Sequence, residues 1–260
     1  MWKLFQFGKS RKPFLASLAA LLLAFATSAA HAQSAAMKPV VVELFTSEGC
    51  SSCPPADALL RTLDSTQPVA GVQLIVLGEH VDYWDDLGWK DTYSAHAFTL
   101  RQQTYADRLR LASPYTPQMV VDGKFEFLGS DRDRADQAFA AARGLPKVAV
   151  RISALKIENG NLRAHIETDA LPANADVFVA LALDHAQSQV LRGENGGHRL
   201  EHVAVVRNLT RVGTSKKTEA FSQDVSLPAD SSDSPYRLVA FVQEPHQGRI
   251  LGAAVERVQK

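Results

Sequence analysis

Val40-Val41-Val42-Glu43-Leu44-Phe45 is a nearly continuous apolar run rich in β-branched residues, the pattern of a strand buried on both faces. Thr46-Ser47-Glu48-Gly49 breaks it, and Ala56 to Leu63 then reads as a helix entered through Pro54 and Pro55, since proline is tolerated in a helix's first turn. Val72 to Leu77 is a second buried-strand run, and strand, helix and strand in succession predict a parallel right-handed βαβ unit. Glu79 to Trp89 is a polar and aromatic loop. Ala95 to Leu111 reads as a helix whose mediocre apolar spacing points to a surface position. Met119 to Val121 and Lys124 to Leu128 are predicted to be hairpin strands joined through Asp122-Gly123. Asp131 to Arg143 follows as a helix, with Ala135, Ala138, Phe139 and Ala142 on one face and Gly144 as its stop.

From Lys147 the pattern changes. Val148, Val150 and Ile152 alternate with other residues, and Asn159-Gly160 marks a hairpin turn. Asn161 to Thr168, Asp176 to Asp184, His202 to Thr210, Thr218 to Leu227, Tyr236 to Gln243 and Ile250 to Val258 all read as strands. Short strands with turn signals and no helices between them predict an antiparallel, immunoglobulin-like sandwich beginning after a boundary near Gly144 to Lys147.

The N-terminus changes the picture of where the protein works. Lys3, Lys9, Arg11 and Lys12 precede an apolar run from Leu15 to Ala30, and Ala30-His31-Ala32 follows as a small-residue cut site. This is the grammar of a secretory signal peptide over residues 1–32, and it predicts an exported, periplasmic or secreted protein. The apolar run is shorter than the ~20 residues a spanning helix needs, and no later stretch is long enough, so no membrane span is expected after cleavage. The remaining 228 residues (260 less 32) carry 24 basic against 28 acidic side chains, a formal net charge of −4. That weakly acidic balance argues against a nucleic-acid partner.

The chain has two cysteines, Cys50 and Cys53, in Cys50-Ser51-Ser52-Cys53. A loop this short removes little unfolded-chain entropy when closed, so the pair is better explained as chemistry than as a staple. The order strand, CxxC, helix, strand, helix, Thr116-Pro117, hairpin, helix resembles the thioredoxin fold over Val40 to Arg143. The segment Val41 to Asp57, with Tyr83-Trp84-Asp85 and Thr116-Pro117-Gln118, is similar to an exported bacterial thioredoxin-like family of unknown function. The resemblance implies a thioredoxin-like α/β domain over 39–145, followed by the β-sandwich domain over 147–258. It further implies that Pro117 is a cis proline facing the cysteine pair, with Thr116 before it. Gly49-Cys50-Ser51-Ser52-Cys53 departs from the Trp-Cys-Gly-Pro-Cys of familiar thioredoxins in its leading residue and its central dipeptide.

The chemistry expected is thiol–disulfide exchange. Cys50 beside a helix N-terminus gains from the helix dipole and from free backbone N–H groups, which favour the thiolate. Cys50 is then the attacking sulfur, Cys53 the more buried resolving one, and Pro117 with Thr116 shapes the substrate groove. Substrates are proteins or small thiols and disulfides, with an unknown redox partner and no cofactor. The alternative is a non-catalytic module, either partner-docking or binding copper or zinc, in which two thiolates and His80 or His96 serve as ligands. Glu79, His80 and Asp82 are candidate proton acceptors or a solvated loop. Tyr83, Trp84 and Trp89 are either a peptide-binding wall or a cover over the sheet end. The segment from Gly193 to His202 is expected to be a structural loop, with contact with the thiol site as the alternative, and His198 and His202 are expected to share a strand face too widely spaced for one ion.

Overall fold

The computed structural model describes residues 37–229 and 234–258, together with residues 1, 2, 4 and 8. The residues on which the expectation of a signal peptide rests, Lys3, Lys9, Arg11, Lys12 and 15–32, lie outside the described residues. Eleven strands and three helices are described. They are β1 (Lys38–Thr46), α1 (Pro54–Thr66), β2 (Val72–His80), α2 (His96–Leu109), β3 (Gln118–Val121), β4 (Phe125–Leu128), α3 (Arg132–Arg143), β5 (Val150–Glu158), β6 (Asn161–Thr168), β7 (Ala175–Gln189), β8 (Arg199–Ser215), β9 (Ser222–Pro228), β10 (Tyr236–Gln243) and β11 (Ile250–Val258). Among the described residues, no helix is long and apolar enough to cross a membrane.

The fold is mostly β, with a mixed eight-stranded sheet in the order β11-β10-β7-β8-β2-β1-β3-β4 and a three-stranded sheet β5-β6-β9. This corrects the expectation of a thioredoxin-like α/β domain followed by an immunoglobulin-like sandwich. β1 and β2 pair in parallel as the βαβ pattern requires, but β2 is not an edge. β8, expected from its sequence to be a strand of a separate sandwich, runs parallel to it at Gly78–Val205. Strands from both halves of the chain therefore make one sheet. The physical reason lies in β2 itself, which is almost wholly buried. Left at an edge it would present an apolar strand with open hydrogen-bonding groups, a configuration folded proteins avoid. Gly78 makes the approach of β8 feasible, since a Cβ there would stand 3.2 Å from the Val203 carbonyl oxygen.

The core is layered on this sheet. On one face of β1 and β2, Val40, Val42, Leu44, Leu74 and Val76 pack against Leu60 and Leu63 of α1 and Phe139 of α3. On the other face, Val41, Ile75 and Leu77 meet Phe98 of α2 and Phe241 of β10. The small sheet closes a further core, with Leu162, Ile166 and Leu227 against Val177, Leu181 and Leu238. The Asp122-Gly123 turn forms as its sequence predicts. Both residues are left-handed (φ 52° and 64°), as a type I′ turn requires. It packs on the β10–β11 turn, where a Cβ on Gly123 would collide with the Gly248 carbonyl oxygen.

The expected surface position of α2 is also corrected. Arg101 and Gln102 are buried in it because the sheet supplies their partners. Arg101 Nε donates to Glu43 Oε1 at 2.6 Å, its terminal nitrogen reaches Gln243 Oε1 at 3.1 Å, and the Tyr105 hydroxyl donates to Glu43 Oε2 at 2.6 Å. Polar groups so paired can be buried, and they blur the apolar stripe by which a helix is read.

Candidate functional site

β1 ends in Thr46, and residues 47–53 carry the chain from the sheet into α1. Cys50 and Cys53 are joined as a disulfide with Cα atoms 5.4 Å apart. Cys53 is the N-cap of α1, with Pro54 and Pro55 in the first turn, and Cys50 lies in the preceding turn. The helix start offers its dipole but few donors. The two prolines have no N–H, and the amides of Ala56 and Asp57 both donate to the Cys53 carbonyl oxygen. Both cysteines are fully buried, where Cys53 was expected to be the more buried of the two, while Ser51 and Ser52 between them are exposed.

Three loops cover the pair. The first, residues 81–95, places Trp84 against it. A Cβ on Gly49 would stand 3.1 Å from Trp84 Cβ, and Trp84 Nε1 donates to Thr116 Oγ1 at 2.8 Å. Trp84 thus bridges the cysteine turn and the second loop, which carries Thr116 and Pro117. Their peptide bond is cis. Pro117 lies beside the start of α1, because a Cβ on Gly129 would be 3.1 Å from Pro117 Cβ and 3.2 Å from Ala56 Cβ. The third is the 190–198 loop. Asn195 Nδ2 donates to the carbonyl oxygens of Glu48 and Cys50 at 2.8 and 2.9 Å, and the Ser51 amide donates to Glu194 Oε2 at 3.1 Å. Ser51, through its side chain and its amide, holds the Glu194 carboxyl below its usual range. The segment expected to be a structural loop, with contact with the thiol site as the alternative, makes that contact and covers the disulfide turn.

Behind the turn lies a buried ionisable cluster. Glu48, Asp57, His80, Asp91 and His202 are all almost inaccessible. His80 Nδ1 is 2.7 Å from Asp91 Oδ2, which also accepts from the Glu48 amide at 2.9 Å. Burial alone would raise the Asp91 carboxyl, but His80 and the amides of Glu48 and Tyr93 bring it down to about 2. Trp89 Nε1 donates to Glu48 Oε2 at 2.7 Å. His202 stands at ion-pair distance from two carboxylates, with Nε2 3.5 Å from Glu48 Oε1 and Nδ1 3.8 Å from Asp57 Oδ2. Burial disfavours its charged form, yet those carboxylates overcome burial and raise it to about 9.

A family model described as protein of unknown function (DUF1223) matches residues 41–243. The chain belongs to that family. This corrects the resemblance to a thioredoxin-like family: DUF1223 is the family matched, and no thioredoxin-like family matches. No curated protein matches. Among solved structures, the DUF1223 chain is similar to the crystal structure of an Agrobacterium tumefaciens protein at 28% identity and a TM-score of 0.64, over 85% of this chain and 96% of that one. A β-glucosidase from Kluyveromyces marxianus follows at 10% identity, covering 60% of this chain and 16% of that one, but its TM-score of 0.25 carries no argument.

Of the residues singled out from the sequence, the DUF1223 structure brings together Cys50, Cys53, Thr116, Pro117, Trp84, Trp89 and His80. Glu79 and His80, adjacent in β2, point to opposite faces. Glu79 joins Glu43 and Arg101 on the α2 side, with its Oε2 3.7 Å from Arg101 Nε. Burial first, and the Glu43 charge second, push its carboxyl well above the usual range. Asp82 accepts from Thr99 Oγ1 at 2.6 Å and pairs with the exposed His96, so neither belongs to the cysteine cluster. Tyr83 is partly exposed, with its hydroxyl on Gln102. His198 precedes β8, and only His202 lies on the strand. Among the described residues, no group of three or more His, Cys, Asp or Glu side chains is placed to hold a metal ion. The roles of Glu48, Asp57, Asp91, Glu194 and Asn195 were missed. The one available signal was Glu48, an acidic residue two positions before Cys50.

Proposed function

We propose that this DUF1223 protein is exported and performs thiol–disulfide exchange on extracytoplasmic proteins or small thiols through Cys50 and Cys53. The observation that carries the reading is a disulfide closing a four-residue turn at the start of α1. A bond with so short a loop contributes little by constraining the unfolded chain. It sits among Trp84, Thr116, Pro117 and an ionisable cluster rather than in a purely apolar core. An incoming thiolate attacks one sulfur, here Cys50, and the electron pair of the broken S–S bond leaves on Cys53. A second substrate thiol then releases reduced Cys50 and departs as a disulfide. Because both sulfurs are buried, exchange requires the 190–198 loop to lift from the turn. The export half of the reading rests on the sequence of residues 1–32.

The test is the reduction potential of the pair, by equilibration in thiol buffers and alkylation. A value between about −120 and −270 mV places it among working redox proteins, and one below about −300 mV is that of a structural bond and overturns the reading. Cys50→Ser is expected to abolish exchange with a model disulfide.

A further inference from the structure

His202 lies between the two carboxylates that flank the cysteine turn. Glu48 precedes Cys50 by two residues, and Asp57 follows Cys53 by one helical turn, a spacing that puts residues on the same helix face about 5–6 Å apart at Cβ. Both residues of that pair are buried. His202 comes from β8, far away in sequence, and neither ring nitrogen has a hydrogen-bond partner. Its neighbours from every side are known. Glu48 comes from the turn after β1 and Asp57 from α1. His80 comes from β2 with its ring centroid 4.8 Å away, and Tyr93 from the 81–95 loop at 6.1 Å. Asp91 stands behind His80. A buried imidazole with unmade hydrogen bonds is unfavourable unless its charge is used.

We propose that His202 is a positioning residue for disulfide reduction, acting through Asp57 to deliver a proton to Cys53 as its sulfur leaves. The inference rests on the thiol-exchange reading. In the step, the substrate thiolate bonds to Cys50 Sγ, the Cys50–Cys53 bond breaks, and its electron pair passes to Cys53 Sγ. The proton carried by the His202 imidazolium passes by way of Asp57 and neutralises that thiolate. The cluster regains a proton when the second substrate thiol ionises to attack the mixed disulfide, so the substrate dithiol is oxidised and the cysteine pair reduced without a further reactant. The carboxylate of Asp57 alone would oppose a thiolate one turn away by like-charge repulsion. The imidazolium turns that opposition into proton transfer.

The experiment is the rate of reduction of the native protein by dithiothreitol from pH 6 to 10, each rate divided by the reagent's thiolate fraction. In the unaltered protein the corrected rate constant is expected to fall about fivefold by pH 10, with a midpoint near the His202 value of about 9. His202→Gln is expected to be at least tenfold slower at pH 7 and flat with pH. A cooperatively melting His202→Gln protein that keeps the parent rate and profile overturns the inference and leaves thiol exchange standing. Should His202→Gln fail to fold, Asp57→Asn decides the matter in the same assay: a flat profile supports the coupling and a retained break at pH 9 overturns it. A parent disulfide that resists dithiothreitol throughout overturns both readings.

Discussion

The side-chain amide of Asn195 donates to the carbonyl oxygen of Cys50 at 2.9 Å across 145 residues of sequence, and to that of Glu48 at 2.8 Å. One buried side chain thus ties the 190–198 loop to the disulfide turn. Asn195→Ala leaves two buried carbonyls without that donor and is expected to lower stability by about 2 kcal/mol. It is also expected to speed native-state reduction of the disulfide, because the cover loses its latch. Urea denaturation checks the first effect and alkylation after brief dithiothreitol treatment the second. A variant that is destabilised but no more reducible would show that the loop does not gate the sulfurs.

The disulfide itself is expected to matter little for folding. Its loop spans Cys50 to Cys53, for which chain entropy gives about 2 kcal/mol at most, against roughly 4.7 kcal/mol for a 100-residue loop. The Cys50→Ala/Cys53→Ala protein should therefore fold cooperatively with a loss no larger than that in urea, while losing exchange altogether. Failure to fold would assign the bond a structural role instead.

How much of this was legible follows from which interactions are local. The strand over Val40 to Phe45, the helix entered through Pro54, and the Asp122-Gly123 turn are each set by a few neighbouring residues, and all three form. The hidden features are the non-local ones. The apolar run within β8 identifies a strand but not the edge it joins, so the pairing of Val205 with Gly78, which merges the two halves into one sheet, could not be read. Arg101 looks like a solvated residue until Glu43 and Gln243 are seen opposite it. The Gly193 to Gly197 segment signals a tight loop, but nothing in it signals Cys50. Cys50 and Cys53 were visible because their chemistry depends on a fixed short spacing. Their buried companions Asp57 and His202 come from different elements and meet only in the fold.

The buried network under α2 makes a contrast between two of its members. Removing Arg101 would strand the carboxylate of Glu43, so Arg101→Leu is expected to cost about 3–5 kcal/mol, as for other buried ion pairs broken on one side. Glu79 is different, because burial and the Glu43 charge hold its carboxyl well above the usual range. A group raised on folding favours the native state fully below its unfolded value, near 4.3, and that contribution is lost as pH rises through the folded value. Glu79→Gln keeps a neutral side chain and removes the titration. It should change stability by less than about 1 kcal/mol at pH 5 and make stability fall less steeply than in the parent as pH rises. Parallel urea titrations at pH 5, 7 and 9 check this, and parallel slopes would mean that Glu79 is already ionised in the folded protein.

Asp91 has the opposite sign. Burial would raise its carboxyl, but the ring of His80 at 2.7 Å and the amides of Glu48 and Tyr93 bring it from 3.8 to about 2. A group lowered on folding stabilises the native state above its unfolded value, and the gain disappears as pH falls through the folded one. The shift corresponds to roughly 2 kcal/mol. Asp91→Asn is therefore expected to be less stable than the parent by about that much at pH 6, with the gap narrowing between pH 4 and pH 2 as the parent's own carboxylate is protonated. Thermal melts at pH 6, 4 and 2.5 measure the gap. A gap that stays constant across that range would mean that the hydrogen bonds to Asp91, and not its charge beside His80, hold the 81–95 loop on the cluster.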